Sequence, residues 1–228
     1  MYTEHKDPYK YLFHEPLQTQ LFKRVVKEGQ TVVDIGAHIG YYTLLAAKLV
    51  GRRGRVLAFE PDLENYKKLL QNVKLNEYKH VYPVKKAISD IVGTAKLWLH
   101  PSSSSNHSLF GFGERTKYIN VSVTTLDEFF KRKGYGPVDV VKIDVEGAEL
   151  SVLLGMEKII EHNQELKLFV EFDSQRMRLC GQNPKRFVGK LVEHGFKIYL
   201  INQNKKRVDL IEPKKMVKAS DENFFLTR

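Results

Sequence analysis

A chain of 228 residues with 42% hydrophobic and 28% charged residues has ample apolar surface for a core, and a net charge of +10 leaves it globular rather than disordered. The polar opening from Met1 to Asp7 has no signal-peptide pattern, and the most apolar stretch, Val32 to Val50, is broken by Asp34, His38 and Lys48, so a soluble protein without a membrane span is expected. Cys180 is the only cysteine, which excludes an internal disulfide and a cysteine-based zinc site and suits a reducing, cytoplasmic compartment.

One domain over 1–228 is expected, with an N-terminal helical segment over 1–30 and an α/β core over 31–228. Residues 15–27 predict a helix with Leu17, Leu21, Phe22 and Val25 inward, and Gly29 suits the turn that follows. Residues 31–35 predict a buried strand, and 41–50 a helix with Tyr42, Leu45, Ala46 and Leu49 on one face. A second strand at 55–59 ends at Glu60-Pro61. Asp62 is then the candidate cap of a helix burying Leu63, Tyr66, Leu69, Leu70 and Val73. After a third strand at 81–84, residues 91–125 break the rhythm with a strand at 96–99 and a serine-rich loop, and read as an insertion. Strands at 138–143, 167–171 and 196–201 follow, with helices at 148–159 and 184–194 between them and a last strand at 223–226.

Asp34-Ile35-Gly36-Ala37-His38-Ile39-Gly40 joins the first predicted strand to a helix, where a parallel sheet offers strand ends and helix N–H groups to a ligand. Gly36 allows a tight turn, Gly40 allows close strand-to-helix packing, and Asp34 points into the crevice. Glu60 follows Gly40 by about 20 residues, the position from which a carboxylate accepts both hydroxyls of an adenosine ribose. The glycine spacing of a dinucleotide loop is missing because His38 and Tyr41-Tyr42 occupy it, which ranks NAD lower. A ligand with an ammonium, a sulfonium and a ribose suits the carboxylates Asp34 and Glu60, and S-adenosylmethionine is such a ligand.

From Gly29 to Ile201 the chain resembles the FkbM family of class I methyltransferases, through Val33 to Gly40, Phe59-Glu60-Pro61, Asn72 with Leu75-Asn76, Ala87 to Asp90, Thr125-Leu126-Asp127 and Lys142 to Glu149. The resemblance implies a Rossmann-like sheet of seven strands, mostly parallel with the last antiparallel, helices on both faces, S-adenosylmethionine as donor and an oxygen acceptor. It places Gly36, Ala37, His38, Gly40, Glu60 and Pro61 around the cofactor, and Ser89 and Asp90 near the adenine edge. His38 stands where the family usually has asparagine.

Asp144 ends the predicted strand before Val145-Glu146-Gly147, at the rim where open α/β sheets gather active residues. A charge there needs a partner, from Lys142, the cofactor or an acceptor. Glu146 and Glu149 open the next helix and suit its dipole. A hydroxyl acceptor needs its proton removed. Asp144 leads the candidate bases on location, ahead of Glu171, which can also pair with Arg176 or Arg178, and ahead of His38 and His107.

A small-molecule or glycan O-methyltransferase is therefore the leading expectation. An RNA methyltransferase and a non-catalytic S-adenosylmethionine-binding module are the rivals. The runs Arg52-Arg53-Gly54-Arg55, Lys131-Arg132-Lys133, Lys205-Lys206-Arg207 and Lys214-Lys215 favour anions, but no RNA or DNA module accompanies them and they read as solvated turns.

Overall fold

The structure, a computed structural model, describes residues 15–113 and 116–228. Residues 1–14 of the expected N-terminal helical segment lie outside that range. Its described part is α1 (Pro16–Val25), and the chain continues through β1 (Thr31–Ile35), α2 (Tyr41–Val50), β2 (Arg55–Phe59), α3 (Leu63–Leu75) and β3 (Val81–Val84). It then leaves the main sheet for β4 (Ala87–Ile88), β5 (Gly93–Leu99) and β6 (Lys117–Thr124), and returns through α4 (Leu126–Lys133) to β7 (Val140–Ile143). Helices α5 (Glu149–Leu154) and α6 (Glu157–His162), β8 (Lys167–Phe172), α7 (Ser174–Leu179), α8 (Pro184–Glu193), β9 (Lys197–Asn202), β10 (Arg207–Ile211), α9 (Pro213–Met216) and β11 (Glu222–Thr227) complete it.

The main sheet has eight strands in the order β10-β9-β11-β8-β7-β1-β2-β3. Strand β11 runs antiparallel to both neighbours, while β8, β7, β1, β2 and β3 pair in parallel. Inner strands are buried on both faces, as a parallel sheet requires. Val33, Ile35, Leu57, Phe59, Val141, Ile143 and Val170 face one core, and Val32, Val56, Ala58, Val140 and Phe169 the other. This is the mostly parallel, Rossmann-like α/β sheet that the resemblance implies. Among the described residues no helix is long and apolar enough to cross a membrane.

Several expectations need correction. The sheet has an eighth strand, β10, which pairs antiparallel with β9 at the edge. The strand expected at 96–99 is part of β5, in a separate three-stranded sheet of order β4-β6-β5. The helix expected at 148–159 breaks at Gly155, where a Cβ would lie 2.0 Å from the Ser89 carbonyl oxygen. Leu63 and Leu70 are 42% and 41% exposed, because α3 packs through Leu69 and Val73 and its buried Asn65 and Asn72. Asp62 caps α3 as expected, its Oδ1 accepting from the Glu64 and Asn65 amides at 3.0 and 2.9 Å.

Candidate active site

The turn after β1 is held by backbone. The Gly36 and Ala37 amides both donate to the Phe59 carbonyl at 3.0 Å, tying the ends of β1 and β2 together. Gly36 has φ +81°, and a Cβ there would meet the Asp144 carbonyl oxygen at 1.8 Å. The glycine thus lets the end of β1 lie against the end of β7. Asn72 on α3 donates to the Ile39 carbonyl at 2.8 Å and fixes the far side of the loop.

Glu60 is 6% exposed. Its Oε2 accepts from the His38 amide at 2.8 Å and its Oε1 from the Asp62 amide at 2.9 Å. Burial pushes this carboxyl up to about 7, against the pull of those backbone donors. Asp34 sits beside Lys142 in the register of β1 and β7, and accepts from the Thr43 hydroxyl at 2.6 Å. Burial raises its pKa, with the Lys142 ammonium opposing.

A cavity of about 350 Å³ opens over these strand ends. One side is formed by Asp34 to His38 with Tyr41 and Tyr42, and another by Phe59, Glu60, Pro61, Ala87 and Ile88. Residues 104–107 with Leu97 and Leu109, all from the insertion, roof it, and Lys142, Asp144, Val145, Glu146 and Glu171 form the remaining end. The roof is pinned: Ser104 Oγ lies 3.0 Å from His38 Nε2, the Asn65 amide side chain donates to the Ser104 carbonyl at 3.0 Å, and Ser108 donates to the Glu146 carbonyl at 2.7 Å.

At the acidic end, Lys142 pairs with Asp144 at 2.7 Å and lies 4.7 Å from the centre of the Tyr42 ring. Arg176 holds Glu146 at 2.7 Å and reaches Glu171 at 3.7 Å. Carboxylate oxygens of Asp144, Glu146 and Glu171 lie within 4.8 Å of one another, a spacing that could also hold a metal ion. Two carboxylates this close do not both ionise readily. The Asp144 charge, and burial after it, push Glu171 up to about 9. Glu171 is therefore the carboxyl of this cluster that takes up a proton most readily.

Of the residues singled out in the sequence, Asp34, Gly36, Ala37, His38, Glu60, Pro61, His107, Asp144 and Glu171 line this one cavity. Gly40 stands behind it as the N-cap of α2, with φ +98°. Ser89 and Asp90 do not line it. Ser89 is buried, donates its hydroxyl to Asp90 at 3.0 Å and turns its carbonyl toward Gly155, so Ala87 and Ile88 take that wall instead. His107 accepts the His100 amide on Nδ1 at 3.0 Å. Glu149 is buried and accepts the Gly147 amide at 2.9 Å, a structural role in opening α5.

Sequence reasoning missed Tyr41, Tyr42 and the roof apart from His107. The tyrosines follow Gly40 directly, and that adjacency was the available signal. The roof residues carry none, because their partners lie far away in the chain.

His38 has φ +50°. In this left-handed region asparagine is among the best tolerated side chains and β-branched ones among the worst. His38→Asn is thus expected to melt near the wild type, while His38→Val loses about 1–2 kcal/mol. Chemical denaturation of the pair checks this; equal stabilities would show that the loop relaxes around the strain.

Comparison with known proteins agrees with this geometry. The Methyltransferase FkbM domain matches residues 34–212. Methyltransferase sdnD of Sordaria araneosa is 27% identical over 158 residues, covering 56% of this chain and 60% of that protein. Hexuronic acid methyltransferase AglP of Haloferax volcanii is 25% identical over 143 residues, covering 62% of this chain and 56% of that protein. The chain thus spans less than two thirds of the length of these curated relatives. The structure of Aeropyrum pernix fibrillarin with natively bound S-adenosyl-L-methionine superposes with a TM-score of 0.53 at 15% identity, over 93% of this chain and 74% of that one, and so shares the fold. With the domain match spanning most of its length and the strand-end cavity in place, the chain belongs to the FkbM family of methyltransferases.

Proposed function

We propose that the protein transfers a methyl group from S-adenosylmethionine to a hydroxyl of a small molecule or glycan. The observation that carries this reading is one cavity with a buried ribose-type carboxylate, Glu60, on one wall and the Asp144 and Glu171 pair at the end. The residues suit the donor: Glu60 has accepted two backbone amides and keeps lone pairs for hydroxyl donors, and Asp34 adds a carboxylate where a cationic ligand would lie. When bound, the donor supplies an activated methyl group. The chain's own residues supply alignment and a place for the proton. Asp144, held by Lys142, orients the acceptor hydroxyl and takes its proton as the new carbon–oxygen bond forms and the donor's carbon–sulfur bond breaks, leaving S-adenosylhomocysteine. Glu171, whose pKa the Asp144 charge and burial raise, offers a hydrogen bond from its protonated form. The relationship to a hexuronic acid methyltransferase favours a sugar acceptor.

Incubation with methyl-labelled donor and a panel of sugars, uronates and hydroxylated small molecules tests the reading. Labelled methyl ethers are the expected product; incorporation only into amines or into RNA would overturn it.

Donor affinity should depend on pH through Glu60. Ribose hydroxyls prefer the ionised carboxylate, whereas the free protein protonates Glu60 below about 7. Binding of S-adenosylhomocysteine is therefore expected to weaken by up to about tenfold per pH unit below that value and to level off above it. Stability runs the other way: a carboxyl raised by burial costs the free protein stability as pH climbs from 4.5 to about 7. Calorimetry across this range reads the affinity, and a flat profile would remove Glu60 from the donor site.

A further inference from the structure

The opposite end of the sheet has the opposite charge. A basin of about 1030 Å³ opens at the amino ends of β2 and β3 and the carboxyl ends of α2 and α3. Lys48, Arg52, Arg53, Arg55, Lys74 and Lys79 line it, and Glu77 is its one acidic residue. Arg53 pairs with Glu28 at 2.9 Å, but Lys48, Arg52, Lys74 and Lys79 are exposed and form no ion pair among the described residues. Helix dipoles account for Lys48 and Lys74, which stand in the last turns of α2 and α3. They do not account for Arg52, Arg55 or Lys79, which lie outside those helices.

The basin also carries an aromatic surface. Tyr82 is 43% exposed and lines it, and Arg55 stacks over the neighbouring Tyr135 ring at 4.6 Å. Unpaired cations interleaved with an open ring are the combination that holds a phosphate backbone and stacks a base. A bilayer would call for a projecting apolar surface, and this one is concave. The carboxylate-rich cavity at the other end of the sheet, where Lys142 already pairs with Asp144, offers a polyanion no such set of exposed cations.

We propose that this basin binds single-stranded nucleic acid, with phosphates on Lys48, Arg52, Lys74 and Lys79 and a base on Tyr82. The contact lies away from the carboxylate cavity, so it localises the enzyme and does not present the methylated group.

The test is fluorescence anisotropy of a short labelled oligouridylate over a range of salt. Contacts to four phosphates predict a slope of log K against log salt of about −2.8, at about 0.7 per phosphate. Arg52→Gln with Lys74→Gln should cut the slope by about 1.4, and Lys48→Gln with Lys79→Gln should do the same, so misfolding of one pair cannot decide the outcome. Tyr82→Ala should weaken binding by about fivefold or more. Affinity for S-adenosylhomocysteine should not move in any of these variants, which keeps this test separate from that of methyl transfer. A slope unchanged in both basin pairs, or an equal loss in the control Lys214→Gln with Lys215→Gln, would overturn the proposal. So would binding to phosphatidylserine vesicles with none to the oligonucleotide, which would give the surface to a membrane.

Discussion

Replacing Asp144 with asparagine is expected to lower turnover by roughly 10²–10⁴-fold, the loss typical of a positioned proton-transfer group, with little change in melting temperature or in S-adenosylhomocysteine binding. Asparagine keeps the shape and removes the charge. The fold tolerates this because of what surrounds the residue. Lys142, 4% exposed in its side chain, loses its closest partner at 2.7 Å but keeps the carboxylates of Asp34 and Glu171 nearby. The Asp144 charge is the largest cause of the raised Glu171 pKa, so its removal lowers that pKa and favours Glu171 as a second counterion to Lys142. A loss of several degrees in melting temperature would instead assign Asp144 to structural pairing with Lys142. Unchanged turnover would remove it from the reaction.

Gly36→Ala should be among the most damaging single-methyl changes in the chain. Its Cβ would lie 1.8 Å from the Asp144 carbonyl oxygen, a backbone atom that cannot swing aside, at a φ of +81°. The left-handed backbone costs about 1–2 kcal/mol and the overpacking about 1–3 kcal/mol more. The expected total of about 2–5 kcal/mol is a large part of the stability of an ordinary domain. Denaturant titration reads it directly. A loss below about 1 kcal/mol would mean that β1 and β7 separate easily at this end, and that the close approach does not hold the site together.

Much of the sheet was legible because its inner strands are buried on both faces. Val32-Val33 and Val140-Val141 have no solvent side, so the apolar run is the strand. Strand β10 was not legible, since an edge strand with Leu210 64% exposed and Arg207 and Asp209 alternating with it carries little burial signal. Strand β6 does alternate, with Val121 and Val123 buried and Asn120 and Ser122 exposed on the other face, but the flanking loops hid it within the insertion. The break at Gly155 depends on a carbonyl arriving from Ser89, a contact no local pattern records.

At the site, residues at strand ends were readable because topology alone brings the ends of β1, β2, β7 and β8 to one rim. Lys142 with Asp144 was a pairing within one strand and its continuation. The pairing of Glu171 with Arg176 was readable from their closeness in the chain, but the hold of Ser104 on His38 and Asn65, and those of Arg176 on Glu146 and Asp221, join segments far apart. Such partnerships follow from tertiary packing and leave no trace in spacing.

Isothermal calorimetry at about pH 8, where Glu60 is ionised, tests the central claim most directly. S-adenosylhomocysteine is expected to bind one site, in preference to NAD, and Glu60→Ala should weaken it by about 1.5–3 kcal/mol through lost hydrogen bonds to a charged acceptor. Preferential binding of NAD, or an affinity for S-adenosylhomocysteine that the substitution leaves unchanged, would contradict the account.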